Sequence, residues 1–148
     1  NESFNVNAFS PFFLMKEFLA QMEQDNFGRV INITSGAPLN CFQGFGVYSG
    51  SKAAFNALTV TAAREYEHKN IKINLMSPGP VKTEMAPTGP MKPEVCLPTV
   101  EYLLSLSEDG PTGKFYWLGY EVPLFPDLNG VQWLSGIGNN KLRKVLPA

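Results

Sequence analysis

An α/β fold built on a parallel sheet is predicted by three observations in this 148-residue sequence. Two β-branched runs, Arg29-Val-Ile-Asn-Ile-Thr34 and Ile71-Lys-Ile-Asn-Leu-Met-Ser77, flank a long alanine-rich helical stretch, about Tyr48 to His68. Strand, helical crossover and strand make a βαβ unit, which places the two strands parallel with a right-handed connection. The third observation is a shortage: only Lys114-Phe-Tyr-Trp-Leu118 offers a further strand. Three parallel strands alone would leave an unpaired edge and a poorly covered face. The expected architecture is therefore a doubly wound α/β domain, of which this chain carries the carboxyl-terminal half.

The elements follow in order. From about Ser3 to Met22, Phe4, Phe9, Phe12, Phe13, Leu14, Phe18, Leu19 and Met22 form an apolar pattern broad enough for a largely buried helix. Pro11 kinks that helix or marks its true first turn. A chain that opens without Met on such a helix is expected to be a fragment. Asp25-Asn-Phe-Gly28 is a turn signal, and the first strand starts after it. A loop rich in Gly, Pro and Asn spans Gly36 to Val47. In the next helix Ala53, Ala54, Ala57, Ala62 and Ala63 allow close approach to a sheet or a partner helix. Lys69-Asn70 ends it. Pro78-Gly-Pro80 stops the second strand, a Pro-rich loop runs to about Pro93, and Pro93 to Leu106 has a short helical pattern. The chain thus divides into a catalytic half, 1–118, and an extension, 119–148. Pro123, Pro126, Gly130, Gly136 and Gly138 make that extension irregular, with Trp133 as its anchor.

Composition excludes several function classes. Lys and Arg number 12 against 13 Asp and Glu, and a net charge of −1 gives no electrostatic footprint for nucleic acid or an anionic membrane. No apolar run approaches the roughly 18 residues of a membrane helix. Cys41 and Cys96 have neither metal-ligand spacing nor disulfide-scaffold density, so no metal is expected and a reduced, cytoplasmic setting is. Eleven Phe, five Tyr and two Trp suit a buried core plus an apolar cleft.

The chemistry rests on Ser35, Tyr48 and Lys52. Tyr48 and Lys52 lie four apart at the start of a helix, so they share a face with Cβ atoms roughly 5–6 Å apart. A cation there favours the phenolate by roughly 3 kcal/mol at an effective dielectric of about 20. Such a phenol can exchange a proton with a carbonyl or alcohol oxygen near neutrality. Ser35 falls just past the carboxyl end of the first strand, where parallel α/β sheets place ligands, and can hydrogen-bond the same oxygen. An isolated Tyr–Lys pair is usually a surface tyrosine beside a solvated lysine. Here it stands between a strand-end serine and a strand that ends in Pro78-Gly79.

With these residues in place, the sequence resembles the short-chain dehydrogenase/reductase family in its single-domain branch. The resemblance is carried by Asn5-Val-Asn7, Gly28-Arg-Val-Ile-Asn-Ile-Thr-Ser35, Tyr48-Ser-Gly-Ser-Lys52-Ala-Ala and Asn74-Leu-Met-Ser-Pro-Gly-Pro-Val-Lys-Thr83, over about residues 4 to 115. It implies a Rossmann-like fold and an NAD(P)-dependent oxidoreductase that interconverts a small-molecule carbonyl and alcohol. By that resemblance Tyr48 is the general acid/base and Ser35 positions the substrate oxygen. Lys52 assists ionisation of the tyrosine and binds the nicotinamide ribose hydroxyls. Asn7 holds a water of the proton relay, and Pro78, Gly79, Val81 and Thr83 grip the nicotinamide carboxamide. It also implies a homodimer or homotetramer built on the first helix and the Ala-rich helix.

Each role has a plainer alternative: Asn7 bonding neighbouring backbone, Thr83 capping a turn, Pro78-Gly79 merely ending a strand. The family's Gly-rich phosphate loop and its Asn-Asn-Ala-Gly-like stretch are not in the sequence and are expected upstream, so NAD and NADP cannot be told apart. Without that half, the isolated chain is expected to be inactive. Gly44, Gly46 and Gly50 have the wrong spacing and place for a dinucleotide fingerprint and read as loop flexibility. The family's Asp-Gly-Gly tail is replaced by Thr112-Gly-Lys-Phe-Tyr-Trp-Leu-Gly-Tyr-Glu-Val122. His68 at a helix end is structural, where imidazolium suits the macrodipole. Cys41 is either inert or a cleft residue, and Leu39, Phe42 and Phe45 are either a substrate wall or a packed loop core. Halohydrin dehalogenases resemble the pattern but carry arginine in place of Lys52. A non-catalytic scaffold or regulatory subunit is the alternative function, against which the intact Ser35–Tyr48–Lys52 set argues.

Overall fold

The computed structural model describes residues 2–126, 128, 130–132 and 134–145. Trp133, the expected anchor of the tail, lies outside them. Helices α1 (Glu2–Phe4), α2 (Ser10–Asp25), α3 (Ala37–Asn40), α4 (Gly46–Glu65) and α5 (Leu97–Leu104) accompany strands β1 (Gly28–Ile33), β2 (Ile71–Met76), β3 (Phe115–Trp117) and β4 (Tyr120–Val122). The sheet order is β1-β2-β3-β4. β1 and β2 are parallel with Gly28 opposite Ile71 and Ile33 opposite Met76, and β2 and β3 are parallel with Leu75 opposite Phe115. The βαβ unit is as the sequence predicts.

The opening helix is not a single regular helix. A π-helical segment, Asn5–Phe9, separates α1 from α2, and Pro11 occupies the first turn of α2. Proline has no N–H to give the carbonyl four residues back, here that of Asn7, and its ring crowds that carbonyl. Widening the helix there relieves the conflict. α2 ends at Asn26, whose left-handed backbone (φ 44°) lets its N–H reach the carbonyls of Met22 and Glu23.

The three-stranded parallel sheet expected from the sequence is corrected to four strands. β4 pairs antiparallel with β3, Phe115 opposite Val122 and Trp117 opposite Tyr120. Leu118 and Gly119 make the two-residue turn, both at positive φ (47° and 78°). Tight hairpins demand that backbone, usually through Asn-Gly or Asp-Gly. Leucine there carries no such signal, which is why the strand was illegible. Lys114 and Glu121 form a salt bridge across the hairpin at 3.2 Å.

Two layers of helix sandwich the sheet. On one face Met15 and Leu19 of α2 and Ala62 and Ala63 of α4 bury Ile71 and Ile73 of β2, while Val60 packs with Leu75 and Phe115. The other face buries Met76 and Tyr116 under Leu103 of α5. β2 is buried along its whole length, and each of its fully buried Ile and Leu side chains contributes about 1.5–3 kcal/mol. Of the α4 alanines, Ala62 and Ala63 let the helix lie on the strand as expected, while Ala53 and Ala57 are exposed. Asn74, 1% exposed, fixes β3 beside β2: its Nδ2 donates to the Pro111 carbonyl at 2.9 Å, and the Lys114 N–H donates to its Oδ1 at 3.0 Å.

Candidate active site

The carboxyl ends of β1, β2 and β3 open on a cleft of about 640 Å³. β1 hands over to it through Thr34, whose N–H donates to the Met76 carbonyl and whose Oγ1 donates to Asn56 Oδ1 of α4. Ser35 comes next, on the cleft wall. Its Oγ accepts the Ala37 N–H at 3.0 Å, which starts α3 and leaves the hydroxyl proton as the group to be donated.

Tyr48 lies in the first turn of α4, lines the same cleft and is 37% exposed. The Phe45 ring meets it edge-on with centroids 6.2 Å apart. Lys52, one turn later, is half-buried and outside the cleft lining, and its Nζ donates to the Ile33 carbonyl at the end of β1 at 3.5 Å. Burial pulls the Lys52 ammonium below the usual lysine range. The structure thus brings Ser35 and Tyr48 to one surface and sets Lys52 at the strand end beside it.

Asn7 sits inside the π segment. Its Nδ2 donates to Ser51 Oγ at 3.1 Å, and Ser51 Oγ donates to the Tyr48 carbonyl at 2.8 Å. The amide therefore bonds a side chain of α4, rather than neighbouring backbone. Ser51, wholly buried, went unnoticed in the sequence, although a serine three residues after the tyrosine is placed to bond back to its carbonyl.

Pro78 and Gly79 line the cleft, together with Pro80. Gly79 needs its residue type: φ is +72°, and a Cβ there would stand 2.7 Å from Trp117 Nε1. Val81 and Thr83 are not among the lining residues. Val81 bridges to Met91, and exposed Thr83 accepts the Ala86 N–H on its Oγ1, closing a turn. Leu39, Phe42 and Phe45 line the cleft and are exposed, so they form a wall and not a packed loop core, with Phe42 and Phe45 meeting edge-on at 6.3 Å. Cys41 is exposed outside the lining, at the left-handed end of α3, with its Sγ donating to the Pro38 carbonyl. Gly44 lies in the loop, Gly46 starts α4 and Gly50 lies within it, so the three form no phosphate-binding turn. Sequence reasoning missed Phe115, Trp117 and Val122, which close the cleft from the β3–β4 hairpin. Among the described residues no group of His, Cys, Asp and Glu could hold a metal, and no helix is long and apolar enough to cross a membrane.

Nicotinamide dinucleotides fit only in part. Tyr48, Ser35, Pro78 and Gly79 surround space for a flat ring, with a cation beside them. No glycine-rich strand-to-helix turn for a pyrophosphate occurs among the described residues, since β1 leads instead into Ser35 and α3.

The family model for short chain dehydrogenase matches residues 1–92. The NADPH-dependent aldehyde reductase-like protein, chloroplastic, of Arabidopsis thaliana is 30% identical over 138 residues, 92% of this chain and 48% of that protein. A diacetyl reductase [(S)-acetoin forming] of Staphylococcus epidermidis is 36% identical over 83 residues, 55% of this chain and 32% of its own. Among solved structures, a short chain dehydrogenase from Salmonella enterica superposes with a TM-score of 0.71 at 20% identity, covering 79% of this chain and 51% of that one. An NADPH-bound carbonyl reductase from chicken fatty liver gives 0.67 at 26% identity, covering 80% and 54%. The chain spans about half the length, or less, of these two curated relatives.

Proposed function

This chain belongs to the short-chain dehydrogenase family, and from that premise we propose that it carries the proton-transfer half of an NAD(P)-dependent oxidoreductase acting on a carbonyl and its alcohol. The observation that carries the reading is the placement of Tyr48 and Ser35 on one cleft, with Lys52 half-buried a helical turn from the tyrosine. When bound, the nicotinamide group supplies hydride to the carbonyl carbon, or takes it from the alcohol carbon in reverse.

Tyr48 gives its phenolic proton to the substrate oxygen in reduction and takes it back in oxidation, so one O–H bond breaks as another forms. Ser35 donates its hydroxyl proton to the same oxygen as charge develops there. Lys52 supplies the cation that favours phenolate, and its ammonium suits the ribose hydroxyls of the dinucleotide. Asn7 and Ser51 hold the turn of α4 between Tyr48 and Lys52 in register. Pro78 and Gly79 present backbone to the carboxamide, with Val81 and Thr83 further along the same loop. NAD and NADP both suit these residues. The exposed Phe13, Leu14 and Phe18 of α2 support a helix-to-helix contact with a second copy in a homodimer or homotetramer, and the setting we favour is the cytoplasm.

The test is Tyr48→Phe in the natural full-length polypeptide that carries this sequence, assayed with NADH and NADPH on simple aldehydes and ketones. Turnover should fall by about 10²–10⁴-fold with unchanged circular dichroism. A variant that turns over normally would overturn the reading.

A further inference from the structure

The cleft has a chemical character that the proton-transfer residues do not require. Among the described residues that line it, Tyr48 is the sole ionisable side chain, and there is no Asp, Glu, Lys, Arg or His. Its hydrogen-bonding groups gather where Thr34, Ser35, Tyr48 and Ser77 stand at the strand ends. Asn40 adds one uncharged amide, and the rest is mostly apolar, its aromatic surface coming from two separate parts of the chain: Phe42 and Phe45 from the loop before α4, and Phe115 and Trp117, with Val122 beside them, from the β3–β4 hairpin.

The second wall is a product of strand pairing. Phe115 and Trp117 are two apart on β3 and so face the same side, and Val122 is the cross-strand partner of Phe115. β4 therefore adds a residue to the cleft that β3 alone would lack. The indole of Trp117 is lodged against the Gly79 backbone, so this wall is braced on the loop at the cleft's edge. The hairpin lies beyond residue 92, where the family match ends. Phe42, Phe45 and Trp117 keep 57%, 51% and 40% of their surface exposed, an aromatic surface that an apolar ring would cover.

Charge decides the substrate class. A carboxylate or ammonium entering this slot would lose hydration and meet no charged side chain on the described walls, since Lys52 stands outside the lining with its Nζ on the Ile33 carbonyl. An aryl or branched-alkyl group would instead gain burial and ring contacts. We propose that the slot selects uncharged, apolar carbonyl compounds and their alcohols, with Trp117, Val122 and Phe42 as specificity-determining residues. This rests on the oxidoreductase reading for its reacting group, while the slot's preference itself is a matter of binding.

The test therefore has two arms on the natural full-length polypeptide. In the binding arm, unreactive 4-isopropylbenzamide and 4-carboxybenzamide are titrated calorimetrically. The neutral amide should bind at least about tenfold more tightly, and Phe42→Arg should shrink that ratio at least about fivefold. In the turnover arm, kcat/KM for 4-isopropylbenzaldehyde should exceed that for 4-carboxybenzaldehyde by about 100-fold, and Trp117→Ala should raise KM for the former about tenfold. Equal or tighter binding of the carboxylate, or no binding of either amide, overturns the proposal whatever the turnover. The expected amide preference with neither aldehyde consumed supports the slot and overturns the oxidoreductase reading alone.

Discussion

The Asn7 amide donates to Ser51 Oγ at 3.1 Å, which ties the π-helical turn before α2 to the first turns of α4. Ser51 passes the link on to the Tyr48 carbonyl. The irregularity that Pro11 imposes on one helix thereby positions the helix that bears Tyr48 and Lys52.

Ser51→Ala breaks both bonds in a site with no exposed surface. We expect a loss of about 1–3 kcal/mol, since the Asn7 amide is left without its acceptor. Urea denaturation checks the loss, and Ser51→Cys should not restore it because a thiol is a weak acceptor.

Lys52→Met tests the consequence of burying an ammonium. The folded-state pKa lies below the ordinary 10.5 because burial disfavours the charged form. Between those two values the unfolded chain binds more protons, so stability rises with pH across that window. The penalty is fully present below the folded-state pKa and is relieved as pH climbs towards that of an unfolded lysine. The difference in urea midpoint between wild type and Lys52→Met should therefore be flat at neutral pH and shift in favour of the wild type on the alkaline side. A difference independent of pH up to 10.5 would contradict the burial.

Gly79→Ala meets two obstacles, a φ of +72° and Trp117 Nε1 at 2.7 Å from the new methyl. A loss of about 1–3 kcal/mol is expected from strain and clash together. In a Trp117→Ala background only the strain remains. A double-mutant cycle should then give a coupling of about 0.5–1.5 kcal/mol, read from denaturant midpoints.

Asn74→Ala removes the donor to the Pro111 carbonyl and the acceptor for the Lys114 N–H. With the residue buried, about 2–4 kcal/mol is expected, and the amide of Lys114 should exchange with solvent faster than in the wild type. Unchanged exchange there would show that β3 is held some other way.

The strands and helices that could be read were those with strong local periodicity. Ile71, Ile73 and Leu75 announce a buried strand, and Ala62 and Ala63 a close helix–sheet contact. β4 was hidden because its turn, Leu118-Gly119, depends on a positive φ that leucine does not advertise. Ser51 was hidden because its partners, Asn7 and the Tyr48 carbonyl, are revealed only when α4 lies against the π turn.

By itself the sequence determined the βαβ unit, the i,i+4 pairing of Tyr48 with Lys52 and the family likeness, all of which depend on neighbours along the chain. Tertiary structure alone decided what faces the cleft. Trp117 reaches Gly79, and Val122 joins Phe115, because strand pairing brings together residues remote in sequence, and no local spacing encodes that contact.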